Sequence, residues 1–271
     1  MRLRHCCAVL LSVVVAIVCI PAFGDTPATG RWQPLPELWD EFNSEALDAT
    51  RWETRNPHYP GKKPALYMSR NVTVKGGMLN LWAKAETVPN APVGYHSYTT
   101  AYVTSKQAVL YGYFEVRARP MNARVNNGFW FYRWTETGTY EIDVFEIGGS
   151  APKHENVVHT NTHVFKGRPE MENDSNRISD PNSWSAGPSR LADGFHVYGF
   201  EWDEQELRFY FDGQLIRSKA NTVWHVPMQL RFSTETHPDW FGLPKPGELP
   251  AAFLIDYVRA WQRVPGTDKR P

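Results

Sequence analysis

Downstream of the first two dozen residues, apolar side chains recur at every second position in short runs, and Gly, Pro and Asn break one run from the next. A period of two belongs to β-strands, whose successive side chains point to opposite faces. Helical periodicity is scarce. Residues 72–75 and 78–82 flank Gly76-Gly77, and residues 207–211 and 214–217 flank Asp212-Gly213. Both patterns predict hairpins with two-residue turns. Residues 113–119 set Phe114, Val116 and Ala118 against Tyr113, Glu115, Arg117 and Arg119, and residues 253–262 read as a long last strand. Residues 57–64 and 165–188 lack strand patterning and read as long surface loops. No repeat, Ser/Pro-rich linker or appended module is visible. An all-β fold follows, and a single jelly-roll sandwich of two curved antiparallel sheets fits it.

The N-terminus has the three parts of a secretion signal. Arg2 and Arg4 supply positive charge, residues 8–20 are apolar, and Ala22-Phe23-Gly24 offers a small-x-small cleavage site before Asp25. The apolar run is short for a membrane span, which needs about 20 residues. Residues 1–24 are therefore expected to be a signal peptide and 25–271 a single domain, exported to the periplasm or beyond. Cys6, Cys7 and Cys19 all fall in the signal, so the mature chain would have no disulfide, thiol nucleophile or cysteine metal site. Cys19 as a lipid anchor is disfavoured by the bulk of Val18 before it. With Lys+Arg 29 against Asp+Glu 29, nothing in the charge balance calls for nucleic acid or a membrane surface. A monomer is expected.

The chemistry concentrates in Glu141-Ile142-Asp143-Val144-Phe145-Glu146. On a regular strand Glu141 and Asp143 share one face and Glu146 falls on the other. One residue bulged out between Asp143 and Glu146 would return Glu146 to the first face. The outer two acids would then suit a double displacement at a sugar, which needs carboxyl groups roughly 5–5.5 Å apart. A bare E-x-D-x-x-E pattern is more often a solvated edge. Here Trp130, Tyr132, Trp134 and Tyr140 crowd the preceding residues, and sugar rings stack on such flat amphipathic surfaces.

These residues resemble the bulged signature of glycoside hydrolase family 16, whose members hydrolyse β-linked glucans and galactans with retention. Tyr111-Gly112-Tyr113-Phe114-Glu115-Val116, Gly128-Phe129-Trp130-Phe131-Tyr132 and Asp256-Tyr257-Val258-Arg259-Ala260-Trp261 resemble other family blocks, as do residues 195–202 and 235–244. The likeness runs from about Trp39 to Gln262 and is nearest in flavour to the red-algal galactanases: β-agarases, porphyranases and kappa-carrageenases. It implies a jelly roll with a concave substrate cleft, Glu141 as nucleophile, Glu146 as acid/base and Asp143 as a supporting acid between them. It further implies endo-cleavage of β-1,4-galactosidic bonds, with a β-agarase as the first expectation and a porphyranase or kappa-carrageenase next. The polysaccharide is the expected partner. Physics supports the roles, because attack needs an ionised carboxylate and leaving-group protonation a carboxylic acid with a raised pKa. Three close acids cannot all be ionised cheaply, so at least one should hold a proton.

Trp130 is the expected stacking platform, with Trp134 and Trp240 beside it. Trp82 and Trp261 are assigned to the core. His159, Asn161 and His163 alternate on one face, but no third acid or histidine recurs in register along that run, so a metal there is not expected. The resemblance makes His163 a sugar-binding partner, and Glu235 could bind a hydroxyl or pair with an arginine. Arg70, with Arg124, Arg133 and Lys62-Lys63, is a candidate for a sulfated sugar, because arginine's planar fork suits that anion. No cofactor is required for the displacement. The resemblance also implies a structural calcium away from the cleft, held by Asp40 or Glu41 with Asp256 and carbonyls near Gly77. Two rival classes remain. One is a family β-glucanase such as a laminarinase. The other is a non-catalytic carbohydrate-binding jelly roll, which would have no need of Glu141 and Glu146 on one face.

Overall fold

A computed structural model describes residues 32–166 and 177–264. The expected signal, including Cys6, Cys7 and Cys19, lies outside the described residues. Eighteen strands form among those described. The first nine are β1 (Trp32–Pro34), β2 (Trp52–Glu53), β3 (Ala65–Tyr67), β4 (Val72–Val74), β5 (Leu79–Ala83), β6 (Tyr98–Thr100), β7 (Tyr102–Val109), β8 (Gly112–Arg119) and β9 (Asn126–Thr135). They are followed by β10 (Gly138–Ile147), β11 (Val157–Lys166), β12 (Arg177–Ser179), β13 (Asn182–Ser185) and β14 (His196–Trp202). The last four are β15 (Glu206–Phe211), β16 (Gln214–Ala220), β17 (Met228–Glu235) and β18 (Ala251–Arg263).

Two large antiparallel sheets make the expected jelly-roll sandwich. One runs β16-β15-β14-β8-β18-β5-β4, with β1 on β18; the other runs β12-β11-β10-β9-β17-β7-β2, with β13 on β11. Both hairpins form where the turn dipeptides predict them. Gly76 and Gly77 have φ of 66° and 71°, and Asp212 and Gly213 have 46° and 79°, the positive-φ pair that a two-residue turn needs to match strand twist. The alternating residues meet between the sheets. Phe114 packs on Phe131 at 4.8 Å between ring centres, and Phe145 on Tyr198 at 4.3 Å. All four are essentially fully buried.

Two expectations change. The stretch 165–188 is not all loop, since β12 and β13 lie in it and extend the second sheet at β11. Of the two tryptophans assigned to the core, Trp261 is among the buried hydrophobic residues and Trp82 is not. Trp82 is half-buried, its Nε1 donating to Thr73 Oγ1 at 3.1 Å. Trp261 is buried on the opposite side of its strand from Ala260 and Val258, against Trp39 at 5.0 Å and Tyr113 at 5.6 Å.

Candidate active site

The face of the second sheet turned away from the core carries the acids. Strand β10 keeps register with β11 from Gly138↔Lys166 to Asp143↔Asn161 and resumes at Glu146↔His159, so one extra residue is accommodated. Against β9, Asp143 faces Trp130 and Phe145 faces Phe129, which identifies Val144 as the inserted residue. Val144 and Phe145 are both buried in the core. Two consecutive inward side chains return Glu146 to the outer face, and the expected bulge is present.

Cross-strand pairing then arranges the floor in rows. Glu141 lies between His163 and Tyr132, Asp143 between Asn161 and Trp130, and Glu146 between His159 and Gly128. His163 Nε2 stands 3.1 Å from Asp143 Oδ2 and 3.7 Å from Glu141, while its Nδ1 meets Ser179 Oγ at 2.6 Å. From behind, the buried Trp224 indole donates to the backbone carbonyls of Glu141 (3.1 Å) and His163 (3.3 Å), tying the two strands together at this row.

Glu146 lies in a different environment. Asn126 Nδ2 donates to its Oε1 at 2.8 Å. Burial pushes its carboxyl pKa up to about 8, and the Asp143 carboxylate and then Glu235 push the same way against the Asn126 hydrogen bond. An acid that holds its proton at neutral pH beside other carboxylates is suited to protonating a leaving group.

Glu235 comes into this cluster. It sits opposite Asn126 on β17 and accepts hydrogen bonds from Tyr67 and Tyr59. Burial raises its pKa, while those bonds and the Lys62 charge oppose the rise. It pairs with no arginine among the described residues.

Trp130 is half-buried on the acid-bearing face, its Nε1 donating to Ser233 Oγ at 3.2 Å. Trp134, 47% exposed, lies one row beyond Tyr132 and Glu141 on the same face. Trp240 stacks on Phe241 at 4.1 Å and meets the His159 ring at 4.8 Å, making a wall beside Glu146. That wall needs Gly148, because a Cβ there would lie 2.5 Å from the Phe241 ring. His159 and His237 in the wall have pKa values pushed down to about 4. Burial is the main cause for both, with His154 acting on the first and Lys62 on the second.

Arg70 does not join the acids. It pairs with Glu86 at 3.0 Å and is half-exposed. The calcium expectation fits poorly, because donors already engage the carboxylates it needs. Asp40 accepts from the Phe42 amide at 2.8 Å and from Trp52 Nε1 at 2.9 Å, Asp256 pairs with Arg117 at 2.6 Å, and Glu41 with Arg259 at 2.8 Å. Gly77 lies near the Asn43 side chain. Among the described residues, the group of acid and histidine atoms that does converge within 4.8 Å is Glu141, Asp143 and His163. Contrary to the expectation from β11 alone, an acid does lie in register with His163, because register runs across strands: β10 pairs Glu141 with His163 and sets Asp143 one row along. The distance from Nε2 to Asp143 is that of a hydrogen bond, and displacement by carboxylates requires no metal.

Asn126, Trp224, Tyr59, Tyr67, Ser233 and Arg231 take part in this site without any local sequence signal. Only their place in the sheet, or in loops beside it, brings them to the acids.

Known proteins resemble this chain in sequence and in fold. A family model described as Beta-porphyranase A-D, GH16 domain, matches residues 32–263. Beta-porphyranase E of Zobellia galactanivorans is 26% identical over 88% of this chain and 91% of its own length. The kappa-carrageenase of Pseudoalteromonas carrageenovora is 28% identical over 86% of this chain and 65% of its own. In fold, porphyranase B of Zobellia galactanivorans superposes with a TM-score of 0.76 at 23% identity, over 90% of this chain and 97% of that one. Beta-agarase A of the same organism gives 0.75 at 21%, over 89% and 96%.

Proposed function

The chain belongs to glycoside hydrolase family 16, within the porphyranase type of its red-algal galactanases, and from that premise we propose a secreted, endo-acting, retaining hydrolase of β-1,4-galactosidic bonds whose substrate is porphyran. The observation that carries the mechanism is the Val144 bulge, which sets Glu141, Asp143 and Glu146 on one face in unlike environments. Glu141 attacks the anomeric carbon while Glu146 gives its proton to the departing glycosidic oxygen, and a glycosyl ester forms on Glu141. Glu146, now a carboxylate, takes a proton from water, whose oxygen attacks the same carbon and restores Glu141. Asp143, with His163 at 3.1 Å, holds the nucleophile's surroundings in place. Trp130 offers its face to a sugar ring and Glu235 an acceptor to a hydroxyl.

Porphyran is placed ahead of agarose because the family description and the first relatives bear that name, whereas beta-agarase A is alike in fold alone. Export is supported by the charged, apolar and small-residue segments ending near Gly24. No helix among the described residues is long and apolar enough to cross a membrane. Reducing-sugar release is measured in parallel on porphyran, agarose, kappa-carrageenan and laminarin. Preference for porphyran is the expected result. Preference for another polymer replaces the substrate, and no release from any of them would leave a carbohydrate-binding module.

A further inference from the structure

The floor of the cleft holds a cation that the displacement scheme leaves unused. Arg231 lies on β17 in the row of Trp130 and Asp143. Its guanidinium carbon is 4.1 Å from the centre of the Tyr132 ring, 5.0 Å from that of Trp130 and 5.7 Å from that of Tyr102. Its Nε is sealed from solvent without a hydrogen-bond partner. Nη2 donates to Gln229 Oε1 at a long 3.4 Å. Among the described residues no carboxylate lies within 4 Å of this guanidinium, although other arginines of the fold find one. A cation removed from water without an ion pair is costly, and attraction to aromatic faces recovers only part of that cost. As a purely structural device it would be a poor one.

We infer that Arg231 is a positioning residue for the displacement, holding Trp130 in its edge-to-face contact with Tyr132 (5.7 Å, 79°) beside the sugar and supplying the positive field that favours negative charge on Glu141. The inference rests on the reading of Glu141 as nucleophile. Tyr132 connects the two functions, being at once a face of the cage and the cross-strand neighbour of Glu141. Burial lowers the pKa of the guanidinium, opposed by Tyr102, by Tyr132 and, after them, by Glu141. Other groups facing Glu141 among the described residues include Asp143 on its own strand, His163 on β11, and Tyr132 and Tyr59. Of all these only His163 and Arg231 can carry positive charge, and only Arg231 carries it at every working pH. The field matters twice. It favours the carboxylate before attack, and it favours the carboxylate as leaving group when water cleaves the ester.

The test uses the full mature chain with Arg231→Lys and Arg231→Gln, and Glu141→Gln as the control for the nucleophile. Kinetics are read on the galactan that the wild type cleaves, and binding by calorimetry on its sulfated and desulfated oligosaccharides. Both Arg231 variants lose the flat clamp, so KM and oligosaccharide Kd rise by about tenfold whether or not sulfate is present. Only Arg231→Gln also moves the acidic limb of kcat/KM to higher pH, by about half a unit or more, because losing a nearby cation disfavours the carboxylate. Arg231→Lys leaves that limb in place. A limb shifted equally in both variants, or in neither, overturns the inference. So does a loss confined to the sulfated ligand, which would make Arg231 an anion-binding group.

Should either variant fail to fold, the wild type still decides. Its Arg231 Nε–H resonance is expected upfield of ordinary arginines, slow to exchange, and unmoved by inorganic sulfate. A resonance at the ordinary position, or one that follows sulfate, refutes the cage. Turnover surviving in Glu141→Gln would instead bring down the nucleophile reading, leaving the clamp to be judged on KM and Kd alone.

Discussion

Replacing Glu146 by glutamine should stabilise the protein, by an amount that depends on pH. In the fold this carboxyl titrates near 8 instead of its ordinary 4.5, raised by burial and then by Asp143. Well below pH 4.5 it is protonated in the folded and unfolded chains alike and contributes no difference. Between the two values the unfolded chain releases its proton and the folded chain retains one. Stability therefore falls as pH rises through that window, and the loss is complete once pH passes 8. At about 1.4 kcal/mol per pH unit the full window corresponds to roughly 5 kcal/mol. The side chain is half-buried and its neighbours can readjust, so about 2 kcal/mol is the working figure. Glutamine keeps the shape and still accepts from Asn126, without the charge. For a domain of this size that difference moves Tm by about 4–8 °C. Circular-dichroism melts of both proteins from pH 4 to pH 9 provide the readout. The two should coincide at pH 4, separate with the variant higher as pH rises, and run parallel beyond about pH 8. A gap independent of pH, or a variant that melts lower at pH 9, refutes the reasoning.

The same raised acid should make wild-type kcat/KM fall above about pH 8, as the proton donor is lost; a rate still climbing at pH 9.5 contradicts it. Glu141→Gln should abolish turnover while preserving fold and binding, and Asp143→Asn should lower turnover by about ten- to a thousandfold. Wild-type rates in the first variant sink the nucleophile assignment. Proton NMR of fresh hydrolysate should show the β-anomer first, and an initial α-anomer means inversion. Trp130→Ala should weaken long-oligosaccharide binding by roughly tenfold with little change in Tm, whereas a core tryptophan truncated to alanine costs about 3–5 kcal/mol of stability. Early melting with intact binding would remove Trp130 from the cleft.

The parts of the fold that could be read from sequence are those that local physics dictates. Gly76-Gly77 and Asp212-Gly213 sit where a turn demands positive φ, and alternation along β8 marks its inward face. The bulge could be anticipated because Val144 and Phe145 place two apolar residues side by side in an alternating run, which a regular strand cannot bury together. Strands β12 and β13 gave no such sign. They are short, their described side chains are mostly exposed or half-buried, and they pair at a sheet edge where nothing selects an apolar face. The partners of the acids were hidden for a different reason. Asn126 reaches Glu146 through the pairing of β9 with β10, and Arg231 reaches Tyr132 through β17 on β9. Strand order sets these meetings, and it is a property of the whole chain. The histidines misled in the same way. Scanning along β11 finds no acid in register with His163, because its acids lie on the adjacent strand.

Two glutamates five positions apart begin with the same chemistry, so their division of labour has to come from the ground on either side of the bulge. At the Glu141 row stands the His163 imidazole at 3.7 Å, and one row along, beside Asp143, lies the caged Arg231 cation, which favours negative charge. Around Glu146 stand Asn126, the buried acid Glu235 and the imidazoles of His159 and His237, which stay neutral down to about pH 4. Among the described residues no cation forms an ion pair with Glu146, and Lys62 acts on it only as the weakest of the influences named for it. The first row favours a carboxylate that attacks, and the second an acid that keeps its proton. The bulge is what lets both rows address the same sugar. Were Val144 kept in step as an ordinary strand residue, the residue carrying the proton would point into the phenylalanine core instead of the cleft.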